Sequence, residues 1–252
     1  MVEIDGRRLE YRTIGEGDGP ALVFLHEGLG SMELWRGFPD QVAAATGHRG
    51  LVYSRAGHGR SDPVREPRTP GFMHHEALLV LPGLLDVLGF VEPILIGHSD
   101  GASIALIHAG AGYPVSGLVL LAPHVFVEPE SITGIEAARV RFESTDLAER
   151  MARYHLDPHA TFRGWNDIWL DPAFRDWSIE DSLPGIECPT LLIQGVDDEY
   201  GTLAQLDAIE RGVAGPSERL VLEDCGHSPH LDQPDHVLRA AIRFVSEIGD
   251  GE

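Results

Sequence analysis

Short runs of apolar residues, often rich in Val, Leu and Ile, recur along the chain at Ala21–Leu25, Gly50–Tyr53, Pro93–Ile96, Gly117–Leu121, Thr190–Ile193 and Arg219–Leu222. Most lack polar alternation, as expected of strands buried on both faces of a parallel sheet. Val2–Leu9 and Leu9–Ile14 instead mix polar and apolar positions around Asp5-Gly6, and this predicts an antiparallel hairpin at the sheet edge. Helical spacing fills the intervals. Trp35, Phe38, Val42 and Ala45 fall three and four apart, as do Leu78, Leu81, Leu85 and Leu88. Pro82 should kink that second segment or start a new helix, because it lacks an N–H and its ring crowds the preceding turn. Pro234 opens a last helix whose stripe is Leu238, Ile242 and Val245, with Gly249 as a candidate end. Alternating strands and helices predict an α/β architecture with right-handed crossovers.

One interval breaks this rhythm. Roughly 65 residues separate the strand ending near Pro123 from the one starting near Thr190, far more than a normal connection. They hold Trp165, Trp169, Trp177, Phe142, Tyr154 and Phe162, with helix-like segments around Ile135–His155. The division expected is a core of residues 1–123 and 190–252 with a helical cap, 124–189, inserted into it. Pro63, Pro67 and Pro70 mark a loop.

Composition narrows the chemistry. The chain has 252 residues, 43% of them apolar, and a formal net charge of −21. An apolar fraction of this size supports a core, and the acidic balance argues against nucleic acid and anionic membrane surfaces as partners. Every basic residue is arginine, so no lysine is present to form a Schiff base or to sit in a phosphate loop. Cys188 and Cys225 are too few for a disulfide scaffold. The first residues show no signal-peptide pattern, and Ala77–Gly97 is broken by Pro82, Asp86 and Glu92, so a cytoplasmic, non-membrane protein is expected. His155 and His159 are four apart, but Pro158 between them opposes a helical metal site, and no metal is expected. The glycines near Gly15–Gly19 form no dinucleotide fingerprint.

The strongest chemical signal is Gly97-His98-Ser99-Asp100-Gly101, which follows an apolar strand and precedes the helical stretch Ala102–Ala111. In a G-x-S-x-G pentapeptide the serine sits on a sharp strand-to-helix turn, and flanking glycines remove side chains that would clash there. The helix N-terminus lends partial positive charge to a nearby oxyanion. A serine hydroxyl needs a base, usually a histidine oriented by a carboxylate, in the chain order Ser, acid, His. Asp197-Asp198-Glu199 follows one apolar strand and Asp224-Cys225-Gly226-His227 follows the next, both at strand carboxyl ends where open sheets place ligands. His227 is the expected base, with His230 its neighbouring competitor.

These segments resemble the α/β-hydrolase-fold superfamily over nearly the whole chain. His26-Glu27-Gly28-Leu29-Gly30-Ser31 is similar to its H-G-x-x-G-S segment, and Tyr53–Asp62 to its D-x-R-G-x-G-x-S loop. The pentapeptide, the Gly195-Val196-Asp197-Asp198 segment and the Asp224–His227 segment complete the set in family order. The resemblance implies Ser99 as nucleophile, Asp198 rather than Asp197 as acid, and His227 as base. It implies an oxyanion hole built from the N–H groups of Gly28 and Asp100. Two positions depart from the pattern: Glu27 replaces a glycine, and Asp100 follows the nucleophile, a Ser-Asp pair similar to that of valacyclovirase-like hydrolases. Asp100 and Glu27 are expected to favour neutral or cationic substrates, and Trp35, Trp165 and Trp169 to wall the pocket. The function expected is hydrolysis of small to medium carboxylic esters or lactones without a cofactor. The alternatives are carbon–carbon bond hydrolysis of diketone-type substrates and a hydrolase-like receptor with slow or no turnover.

Overall fold

Each apolar run becomes a strand in the computed structural model, which describes residues 1–17 and 19–249. The strands are β1 (Val2–Ile4), β2 (Arg7–Ile14), β3 (Leu22–Leu25), β4 (Gly50–Ser54), β5 (Ile94–His98), β6 (Gly117–Leu121), β7 (Thr190–Gly195) and β8 (Ser217–Leu222). They form one sheet in the order β1-β2-β4-β3-β5-β6-β7-β8. The β1–β2 and β2–β4 pairs are antiparallel and the remaining pairs parallel, so the expected hairpin occupies one edge. Asp5 and Gly6 both take positive φ in its turn.

The helices are α1 (Phe38–Thr46), α2 (Phe72–His75), α3 (Leu81–Leu88), α4 (Asp100–Gly110), α5 (Pro129–Ser144), α6 (Leu147–Met151), α7 (Pro158–Trp169), α8 (Ala204–Gly212), α9 (Pro229–Asp232) and α10 (Pro234–Gly249). Strand residues alternate between two cores: Leu22 and Phe24 pack with α1 and α10, while Val23 and Leu25 face the α3 and α4 side. With both faces covered, neither set can be polar, which is why the runs show no alternation. Around Pro82 the chain stays helical but widens, with a π-turn at Glu76–Val80 joining α2 to α3. The proline cannot donate to the carbonyl four residues back, and the wider turn absorbs that loss.

Helices α5, α6 and α7 and two short 3₁₀ turns, Pro172–Phe174 and Glu180–Gly185, lie between β6 and β7. Ile135, Phe162, Trp165 and Trp169 belong to the same apolar cluster as Ala102 and Leu106 of α4, so this insertion packs onto the sheet and shares its core. Pro158 starts α7 behind an Asp157 cap, leaving His155 outside the helix that carries His159. No cluster of three or more metal-ligating side chains occurs among the described residues. Among them, too, no helix is long and apolar enough to cross a membrane.

Candidate active site

Ser99 joins β5 to α4 with φ 53° and ψ −118°, a conformation costly for a residue with a Cβ. Its surroundings hold it there. The Ser99 N–H donates to the Leu121 carbonyl at 2.9 Å, and the Ser99 carbonyl accepts from Ala102 and Ser103 in the first turn of α4. The two glycines are sterically required. A Cβ on Gly97 would stand 2.6 Å from Ala102 Cα, and one on Gly101 would stand 1.9 Å from the Leu25 carbonyl oxygen. The elbow therefore follows from local sequence plus the close approach of β3.

Asp198 and His227 meet across the carboxyl ends of β7 and β8. His227 Nδ1–H donates to Asp198 at 2.8 Å from Oδ1 and 2.9 Å from Oδ2. The Asp198 carboxylate is fixed further by the Tyr200 N–H at 2.9 Å and the Gln194 amide at 3.2 Å. Gly195 lets the two loops touch, since a Cβ there would fall 1.9 Å from the Cys225 carbonyl oxygen. Burial opposes ionisation of Asp198, but the His227 charge and hydrogen bond outweigh it and hold the carboxyl below its usual range. Burial likewise opposes a charged His227, and the Asp198 charge and hydrogen bond, with Glu199 and Glu27, raise its pKa nonetheless. Asp197 is exposed and uses its N–H on the Cys225 carbonyl. His230 packs between Trp35 and His98 in the core, its pKa driven down to about 3 by burial.

Ser99 and His227 both face a cavity of about 110 Å³, and among the described residues no hydrogen bond joins them. Glu27, Gly28, Trp165 and Trp169 line the same space. Two expectations need correction. Trp35 is 2% exposed, stacks on Phe38 with ring centroids 5.9 Å apart, and meets Phe24 at 5.6 Å and His98 at 6.3 Å edge-on. It packs in the second core and does not line this cavity, because it ends a 3₁₀ turn, Met32–Trp35, ahead of α1 rather than continuing the expected helical stripe of Phe38, Val42 and Ala45, of which Ala45 is exposed. The Asp100 carboxylate does not reach the cavity either. It is wholly buried, its Oδ1 accepting from the Trp169 indole N–H at 3.2 Å. Asp100 still begins α4, where the N–H has no intrahelical acceptor. Trp165 lies directly over Gly28, where a Cβ would come 2.1 Å from its ring, so the glycine of the turn is what admits this wall.

Several contributors take their role only from contacts made in the fold. Arg55 donates to the carbonyl oxygens of His26 and Glu27, and its N–H donates to His26 Nε2 at 3.0 Å, clamping the turn that presents Gly28. His98 Nε2–H donates to the His227 carbonyl at 2.6 Å, while its Nδ1 lies 3.4 Å from a Glu27 carboxylate oxygen. Burial disfavours a charged Glu27, yet hydrogen bonding and charge from His98 bring its pKa down to about 2. An ionised carboxylate thus faces the cavity. His124, Ser131, Ile135, Tyr200 and Leu29 complete the lining. Of these Leu29, His124 and Tyr200 follow the carboxyl ends of β3, β6 and β7, where strand topology points to ligands.

Known proteins resemble this chain over most of its length. Residues 22–241 match the model of the "Alpha/beta hydrolase family". The chain is 24% identical to 2-hydroxy-6-oxo-6-phenylhexa-2,4-dienoate hydrolase of Comamonas testosteroni, over 95% of this chain and 91% of that one. It is 26% identical to the human serine hydrolase BPHL, over 97% of this chain and 85% of the relative. Among solved structures, Est816, described as an N-acyl homoserine lactone degrading enzyme, superposes with a TM-score of 0.71 at 26% identity, covering 96% of this chain and 99% of its own.

Proposed function

This chain belongs to the alpha/beta hydrolase family, and from that premise we propose that it hydrolyses carboxylic esters or lactones with a small acyl group through a Ser99 acyl-enzyme. The observation that carries the reading is the Asp198–His227 pair, joined at 2.8 Å, opening into the cavity that the elbow serine also faces. In this reading His227 Nε2 takes the Ser99 proton as Oγ attacks the carbonyl carbon. The charge that develops on the carbonyl oxygen is held by the N–H groups of Gly28 and Asp100; such donors are worth ~3 kcal/mol each. His227 returns the proton to the departing alkoxide. A water, deprotonated by the same ring, then attacks the acyl carbon and releases the acid. The chemistry calls for no cofactor.

Two features support a narrow substrate class. A cavity of about 110 Å³ is well below the roughly 300–1,000 Å³ of drug-sized sites, which favours short acyl chains. The ionised Glu27 disfavours anionic acyl groups and favours neutral or cationic ones, a role that Asp100, tied to Trp169, leaves to it. Similarity to a dienoate hydrolase supports carbon–carbon hydrolysis as the second reading. The test is a panel of p-nitrophenyl acetate and butyrate, a glycine ester with its acetylated form, a dicarboxylic half-ester, a lactone and a diketone, assayed on wild type and Ser99→Ala. Fastest turnover of the small neutral or cationic esters, lost in Ser99→Ala, supports the proposal. Turnover of the diketone alone selects the second reading. Preference for the half-ester removes the role given to Glu27. Stoichiometric labelling of Ser99 by an organophosphate without turnover of any compound selects a receptor.

A further inference from the structure

A second cavity is larger than the one that Ser99 faces. A cleft of about 550 Å³ runs between the loop at 57–68 and α7, and shares no lining residue with the Ser99 cavity. Helix α7 separates the two: Trp165 and Trp169 face the serine, while Thr161, Gly164 and Ile168 face the cleft. The cleft is large enough for a small organic ligand. Its apolar wall includes Val64, Pro67, Ile168 and Leu156, the last 64% exposed.

Three arginines, Arg65, Arg68 and Arg163, line this cleft, and none of them forms an ion pair among the described residues. The wall carboxylates are occupied elsewhere. Glu66 pairs with Arg7 at 3.1 Å and Asp167 with Arg139 at 3.0 Å. Asp157 and Asp171 accept the N–H groups of Ala160 and Ala173 as helix caps.

Arg68 is the informative member. Its guanidinium lies over the Phe72 ring, 4.9 Å from the centroid, and its Nη1 is shielded from solvent without a hydrogen-bond partner among the described residues. Its Nη2 has only a 3.4 Å contact to His58 Nε2. That nitrogen also lies 3.0 Å from the Gly28 carbonyl, while His58 Nδ1 lies 3.1 Å from the Ala56 carbonyl. Burial, with the charges of Arg68 and Arg55, keeps the His58 ring neutral, so it has one N–H. It therefore cannot accept from Arg68 and also donate to Gly28 through the same nitrogen. Burial and the like charge of Arg55 bring the Arg68 pKa to about 10, while Asp100 and Glu76 compensate only from a distance. A guanidinium withdrawn from water with donors to spare is costly when empty and favourable when an anion arrives.

We propose that this cleft is a binding site for a small organic carboxylate, whose head is held by Arg68 with Arg65 and Arg163 at the rim and whose apolar body lies against Leu156 and Ile168. The planar fork of a guanidinium matches a carboxylate, and a single deep cation matches a single negative charge better than a phosphate dianion. The site stands apart from the Ser99 chemistry and does not depend on it.

The test uses the whole chain and ¹⁹F NMR titration of 4-(trifluoromethyl)benzoate, with 4-(trifluoromethyl)benzyl alcohol and 4-(trifluoromethyl)phenyl phosphate as comparison arms. Saturable benzoate binding is expected, weakened about tenfold or more in Arg68→Gln, with the alcohol bound at least tenfold more weakly than the acid. Should Arg68→Gln fail to fold, Arg163→Glu at the exposed rim reads the same contact and should weaken binding several-fold while p-nitrophenyl acetate turnover is unchanged. Equal affinity for acid and alcohol, affinity unaltered in a folded Arg68→Gln or in Arg163→Glu, or no saturable binding at millimolar benzoate overturns the proposal. Tighter binding of the phosphate than of the benzoate overturns the carboxylate assignment.

Discussion

Gly195→Ala tests whether the contact between the β7 and β8 loops sets the geometry of the candidate acid and base. The added Cβ would lie 1.9 Å from the Cys225 carbonyl oxygen, 2.4 Å from its carbon and 2.7 Å from the Gly226 carbonyl oxygen. All three are backbone atoms, so no flexible side chain can yield. Ordinary contact at about 3.4 Å requires the 225–226 segment to retreat by about 1.5 Å, and His227 is the next residue. The Asp198–His227 hydrogen bond, 2.8 Å in length, cannot survive that shift with its geometry intact. A displacement near 1 Å costs on the order of 10²-fold in rate, equivalent to ~2.7 kcal/mol. Overpacking costs a further ~1–3 kcal/mol of stability, or a fall of roughly 2–12 °C in Tm. The assay is kcat/KM on p-nitrophenyl acetate beside a thermal melt. Gly83→Ala is the control, because its Cβ would meet only the Ile4 side chain at 3.4 Å, inside α3, where alanine suits the helix. The control should keep full activity and equal or higher Tm. A folded Gly195→Ala with activity within about threefold of wild type would refute the argument that this contact aligns the pair.

The pKa of His227 lies above its ordinary value of 6.5, and the ring works as a base only when neutral, so kcat/KM should rise with pH through a midpoint above that value. Glu27→Gln removes one of the charges that raise it and should move the midpoint to lower pH; an unmoved midpoint contradicts the electrostatic reading. Asp198→Asn should lower kcat by ~10⁴-fold, as expected when the tautomer and orientation of the base are lost, with activity near wild type pointing to a different acid. Trp165→Ala should raise the butyrate-to-acetate ratio of kcat/KM about tenfold by opening the cavity wall, whereas Trp35→Phe should lower Tm and leave that ratio unchanged. A shifted ratio in Trp35→Phe would return that ring to the pocket.

The strands, most helices and the elbow were readable from residues in sequence because each arises from a local rule. Buried strands need contiguous apolar residues, Pro234 suits the first turn of a helix, and Gly97 and Gly101 flank a serine whose turn excludes side chains, whereas the sequence reading misses the start of α5 at Pro129, ahead of the expected Ile135–His155. Asp198 and His227 were legible only through the order of motifs, since nothing in either loop says that the other will lie 2.8 Å away. Tertiary structure alone decided which aromatic rings meet the cavity. Trp35 and Trp165 are chemically alike, but one ring packs against Phe24 and Phe38 in the core and the other lies over Gly28. It also decided that Asp100 binds Trp169 while Glu27 lines the cavity beside the nucleophile, and that Arg68 lies half-buried, its Nη1 shielded and without a partner among the described residues, beside a separate cleft. The physical reason is range: periodicity and turn sterics act over a few neighbouring residues, whereas a cavity is the space left between side chains that packing brings together from distant parts of the chain.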